Sequence, residues 1–140
     1  MGVHQFLVAR MTDAHARAPH ACVCLPVLHP TDDDRIAIEA YPGLLAFELV
    51  QRRSYKNSDE VDRLIARKDI VDALEQGRTR LGLRLKLTHA QRERLVDDAS
   101  GDLLDAAMCL VQAAWASTRP RYGLPETVDP VEGWIATVPG

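Results

Sequence analysis

The sequence predicts an α/β domain in which a small sheet packs against several helices. Three observations carry that expectation. Residues 35–40 alternate as a strand does, residues 58–76 and 101–117 carry helix caps and apolar periodicity, and 134–138 form a last apolar run before Pro139. With 140 residues, 46% hydrophobic and 26% charged, the chain is long enough for one domain, spanning 1–140, with its own core.

At the start of the chain, Val3, Phe6, Leu7, Met11 and Ala14 recur at helical spacing, which predicts an amphipathic helix over 3–17 ending before Pro19. Residues 21–28 are apolar but interrupted by Pro26, as in an edge strand or an extended connection, and 30–34 read as a turn. In 35–40, Ile36 and Ile38 share one face and Ala37 and Glu39 the other, with Glu39 near the strand's C-terminal end. Pro42 suits a first helical turn, so a short helix over 44–51 follows directly.

Asn57 or Ser58 caps the next helix, whose first turn holds Asp59 and Glu60 and whose apolar stripe is Val61, Leu64, Ile65, Val71 and Leu74, up to Gly77. Leu81, Leu83, Leu85 and Leu87 alternate with Gly82, Arg84 and Lys86 and predict a half-buried strand. Thr88 and Gln91 make a capping box for a short helix, and Ser100 caps another that runs to about Ser117. The loop 119–133, rich in Pro, Gly and Asp, leads to the final strand over 134–138.

The composition excludes several classes. No run is long enough for a membrane span and the first 17 residues lack a signal sequence's apolar core, so a cytoplasmic protein is expected. Three cysteines, with Cys109 in the apolar stretch 106–116, do not make a disulfide framework. A net charge of −3 argues against nonspecific coating of nucleic acid, although a local basic face can still bind phosphates. Phosphate loops, nucleophile elbows and two-histidine zinc helices are absent from the sequence. His20, Cys22 and Cys24 fall on one face of an extended chain, but with no fourth ligand at a matching spacing they read as half-buried side chains.

The carboxylates are more informative. Asp102 and Asp105, three residues apart, share one face of a helix that is apolar nearly all round, and a buried carboxylate needs a partner or a cation. Together with Glu39 at a strand end they have the layout of a two-metal phosphodiesterase site holding Mg²⁺ or Mn²⁺. The alternative is structural: Asp102 serves the helix N-terminus and Asp105 pairs with an arginine.

Residues 37–43 (AIEAYPG), 54–57 (SYKN), 100–107 (SGDLLDAA) and 129–135 (DPVEGWI) together resemble the successive motifs of domain of unknown function family 429, described as predicted nucleases of RNase H-like fold. That resemblance covers roughly the last hundred residues. It implies a partial RNase H-like fold and a metal-dependent nuclease acting on nucleic acid, with Glu39, Asp102 and Asp105 as catalytic and metal-binding carboxylates. Tyr55 and Lys56 would then lie on the substrate side, where the Lys56 ammonium contacts a phosphate or compensates the acidic cluster; the other reading of Lys56 is a solvated loop lysine next to Arg52 and Arg53. Trp134 reads as a packing residue, and Glu132 has no assigned role.

Enzymes of this kind begin with a strand that carries a central metal-binding Asp, and nothing before Arg35 reads as that strand. The expectation is therefore a domain truncated at its N-terminus, with an uncovered sheet edge through which it self-associates. Two functions follow: a nuclease that is incomplete or inactive as this chain, or a noncatalytic domain that binds a partner or another copy.

Overall fold

The structure, a computed structural model, describes residues 5–10, 35–128 and 134–138. The chain divides into two compact units, Pro42–Val111 on the one hand and Met1–Tyr41 with Gln112–Gly140 on the other.

The unit Pro42–Val111 is helical. Helix α1, Pro42–Val50, starts at the proline and buries Pro42, Leu45, Ala46 and Val50. Helix α2, Val61–Gln76, ends at Gly77, whose φ of 69° places it in the left-handed region while its N–H returns to Ala73 and Leu74 carbonyls. A side chain at Gly77 would be strained by that φ, and its Cβ would also lie 2.8 Å from Arg84 Cγ. Helix α3, His89–Asp97, opens on the expected capping box: Thr88 Oγ1 accepts the Gln91 N–H and Gln91 Oε1 accepts the Thr88 N–H. Helix α4, Asp102–Ser117, begins in this unit. Leu45, Ile70, Val71, Leu74, Leu81, Val96, Leu104 and Met108 are among the unit's buried apolar side chains, drawn from all four helices and the segment after α2.

A buried arginine sits among them. Arg67 is 1% exposed, and its guanidinium bonds three backbone carbonyls: Nε–H donates to Val96 O at 2.6 Å, and Nη1–H to Tyr55 O at 3.0 Å and Ser58 O at 3.1 Å. The planar fork of an arginine can serve several acceptors at once, which the point charge of a lysine cannot. Arg63, one turn earlier on α2, donates to the carbonyl of Lys56. Two arginines four residues apart thus grip the loop 55–58 by its carbonyls. On the outer side, Arg92 of α3 ties to α2 through Asp72 at 2.6 Å and Glu75 at 2.8 Å.

In the other unit, strand β1, Gln5–Arg10, pairs antiparallel with β2, Arg35–Ala40, in a register that sets Gln5 opposite Ala40 and Arg10 opposite Arg35. No third strand joins them among the described residues. The Ala136 N–H donates to Glu39 O at 2.7 Å, and Gln112 Nε2 donates to Thr137 Oγ1 at 2.9 Å. Arg119 stacks over the Trp115 ring at 5.1 Å, before a short 3₁₀ turn over Pro120–Gly123.

The α/β expectation is therefore corrected. The described chain is mostly helical, and the partial RNase H-like sheet packed against helices is not present. Residues 134–138 make a turn, with Thr137 at φ 71°, and contribute one backbone bond to β2 in place of a strand. Residues 83–88 run extended with Leu81 buried and Leu83, Leu85 and Leu87 half-buried, so the alternation is real, but among the described residues no ladder partner makes them a strand. Conversely, 5–10 form β1 where a helix over 3–17 was expected; Phe6 and Val8 alternate as well as they recur, and pairing with β2 decides the period. A strand does precede Arg35, against expectation, though its sequence QFLVAR has no carboxylate. The uncovered edge presupposed a larger sheet than the described residues contain.

Helix α2 also starts later than its caps suggested: Ser58 Oγ accepts the Glu60 N–H, and Glu60 precedes the helix without a side-chain cap. Its buried face is Ala66, Arg67, Ile70, Val71, Ala73 and Leu74, whereas Val61 and Ile65 of the predicted stripe are exposed. Residues 11–34 and 129–133, with His20, Cys22, Cys24 and Glu132, lie outside the described residues.

Arg67→Met leaves three carbonyls without their donor and is expected to cost at least about 3 kcal/mol of stability, with Arg67→Lys recovering less than half. Urea denaturation measures both; a loss under about 1 kcal/mol for Arg67→Met contradicts the role assigned to the guanidinium.

Candidate functional site

The expected site residues Tyr55, Lys56, Asp102 and Asp105 come together in the unit Pro42–Val111. The loop turns just after Lys56, where Asn57 adopts φ 60°, a conformation asparagine tolerates better than most residues. Arg63 and Arg67 hold the loop's carbonyls from α2. The Tyr55 hydroxyl then donates to Asp105 Oδ1 at 2.7 Å, and the Lys56 ammonium donates to Asp105 Oδ2.

Asp105 lies one turn into α4 and is 3% exposed, so this is a buried carboxylate satisfied by one neutral and one charged donor. Asp102 is different: its side chain is 77% exposed, and Oδ1 lies 3.8 Å from Lys56 Nζ. Gly101, at φ 77°, lets the lysine pass, since a Cβ there would fall 2.8 Å from Lys56 Cγ. The motifs SYKN and SGDLLDAA thus meet through the loop lysine, the tyrosine hydroxyl, the glycine and the second aspartate.

The start of α4 is held by Asp98. Its Oδ2 accepts the Leu103 N–H at 2.9 Å, its Oδ1 accepts the Ser100 hydroxyl at 2.7 Å, and Ser100 Oγ accepts the Asp102 N–H at 3.2 Å. Ser100, which the sequence marks as the cap, stands one residue further out, before Gly101, and still accepts the Asp102 N–H, while Asp98 carries the charge. The Ser100 hydroxyl above all, then the Leu103 amide, lowers the Asp98 carboxyl below its ordinary value of 3.8.

Cys109, one turn beyond Asp105, is buried. Burial first, and then the charge of Asp105, push its thiol up to about 11 against the opposing pull of Lys56. It is therefore a protonated core thiol at neutral pH and not a nucleophile.

Glu39 belongs to the other unit, where it is buried on β2 with its carbonyl bonded to Ala136 N–H. Among the described residues, no group of three or more His, Cys, Asp and Glu side chains is arranged to hold a metal ion. No helix there is long and apolar enough to cross a membrane. Compared with protein-family models, with curated proteins and with solved structures, the chain matches none.

Because Asp98 is held below its ordinary value in the folded state, its contribution to stability is fully present above about pH 4 and is lost as pH falls through the depressed folded value. The stability gap between the native chain and Asp98→Ala, about 1 kcal/mol at neutral pH, should stay constant down to that point and narrow below it. Denaturation at a series of pH values reads the gap; one that widens on acidification rules out this origin.

Proposed function

We propose that this chain is a noncatalytic binding protein in which Tyr55, Lys56 and Asp105 brace the fold instead of forming a hydrolytic centre. The observation that carries this reading is the closure of Asp105, whose two carboxylate oxygens accept the Tyr55 hydroxyl and the Lys56 ammonium. A divalent cation needs several well-placed oxygens, and here it would have to displace an ammonium from a carboxylate that is 3% exposed. Mg²⁺ or Mn²⁺ does not fit that arrangement, and no hydrolytic step is derived through a metal. Asp102 alone offers a single exposed carboxylate.

The family resemblance contributes residues to this reading and no activity: its SYKN and SGDLLDAA motifs are in contact, as an internal brace requires as much as a catalytic site does. A metal-dependent nuclease built on the same residues would need Lys56 to leave Asp105 first.

Incubation with single- and double-stranded DNA and RNA at millimolar Mg²⁺ or Mn²⁺ should give no cleavage. Asp105→Asn should lower stability by about 2 kcal/mol, because it removes the charged partner that Lys56 holds inside the unit and weakens the Tyr55 bond. Metal-dependent cleavage that Asp105→Asn abolishes without loss of stability would overturn the reading in favour of the nuclease.

A further inference from the structure

One acid-free stretch of this acidic chain is dense in cations. From Gln76 to Arg92 there is no Asp or Glu, while Arg78, Arg80, Arg84 and Lys86 stand at two- or four-residue intervals. The structure sorts these residues by side. Arg78, Arg80, Gly82, Arg84 and Lys86 are exposed; Thr79 and Leu81 are buried and Leu83, Leu85 and Leu87 half-buried. A turn closed by the Gly82 N–H on Thr79 O separates the first two cations from the extended stretch that carries the other two.

The cations are not consumed internally. The side chains of Arg78 and Lys86 make no ion pair or hydrogen bond among the described residues. Arg84 spends only its Nε–H, on the Glu75 carbonyl at 2.9 Å, which anchors the guanidinium at the C-terminal end of α2. Arg80 is the one neutralised member, with Nε 2.5 Å from Glu48 Oε1. A net charge of −3 for the whole chain makes this concentration of uncompensated positive charge a local feature and not a property of the surface at large.

From this row we infer that the segment 78–86 is a docking surface for the phosphate backbone of a nucleic acid. The inference deepens the binding reading above and rests on it. In extended chain, residues two apart on one side are about 6.6 Å apart, so Arg84 and Lys86 can each meet a separate phosphate along one strand. Guanidinium groups suit phosphate oxygens through paired N–H donors. The outward row has no aromatic side chain on which bases would stack and no carboxylate or amide to read base edges, so recognition is of the backbone and independent of sequence. An anionic membrane fits less well: the leucines that would have to enter the lipid interface point to the opposite side from the cations.

The test is fluorescence anisotropy of the full chain with a labelled thirty-nucleotide oligothymidine and a duplex of the same length, at several salt concentrations. With about three free cations, the slope of log affinity against log salt should be about −2 for the single strand and about −3 for the duplex. Arg78→Gln/Lys86→Gln, whose side chains have no internal partner to lose, should weaken binding at least tenfold at low salt and flatten the slope by between about 1 and 2. Adding Arg84→Gln should abolish binding, with melting temperatures checking each variant's fold.

Binding untouched by the double variant, no binding at low salt, or binding only to phosphatidylserine vesicles or to polyglutamate would each overturn the inference. Cleavage of the oligonucleotide in the presence of Mg²⁺ would overturn the noncatalytic reading separately, since it leaves the effect of the double variant on affinity to be read on its own.

Discussion

A guanidinium buried without a carboxylate beside it is the constraint on which the helical unit Pro42–Val111 depends. Arg67 gives up its hydration for the carbonyls of Val96, Tyr55 and Ser58. Each of those carbonyls lies where the backbone offers it no regular partner, two in the loop before α2 and one in the last turn of α3, at the negative end of that helix. One side chain therefore settles the hydrogen bonding of two separate segments. Its position on the buried face of α2 fixes where both must run. Arg63 repeats the device one turn earlier on the carbonyl of Lys56.

The consequences pass along the chain from backbone to chemistry. With its carbonyl pinned, Tyr55 aims its hydroxyl at Asp105, and Lys56 next to it reaches the other oxygen over Gly101. Asp105 is a buried charge that would be costly on its own; in this setting it closes a link from α2 through the loop to α4. On the noncatalytic reading proposed above, the same closure leaves it no place in metal chemistry. The polar interior of this unit thus serves architecture, while its uncompensated cations face outward on the segment that follows α2.

Much of this was legible in residues whose physics is local. Pro42 starting α1, Gly77 ending α2 and the Thr88 and Gln91 capping box depend on neighbours a few positions away, and each is found as read. Tyr55, Lys56, Asp102 and Asp105 were singled out by their motifs, and they do meet. What local pattern missed depends on tertiary partners. The leucine alternation in 83–87 is the same whether or not a strand lies alongside, and among the described residues none does. An arginine on an apolar helix face reads as a surface residue until carbonyls from elsewhere surround it, as those of Val96, Tyr55 and Ser58 do at Arg67. Val61 and Ile65 outranked Ala66 and Ala73 in apolarity, yet the small residues are the buried ones. The run 5–10 is short enough to satisfy both periods, and only its pairing with 35–40 makes it a strand.

The central claim is that Arg67 holds the loop so that Tyr55 and Lys56 can lock Asp105, which makes the two buried charges energetically dependent although they do not touch. A double-mutant cycle in urea with Arg67→Lys and Asp105→Asn measures that dependence directly. The two losses should fall short of additivity by about 1 kcal/mol or more, because the loop freed by the first change no longer delivers its donors to the second site. Losses that add to within about 0.3 kcal/mol would show two independent sites and contradict the account.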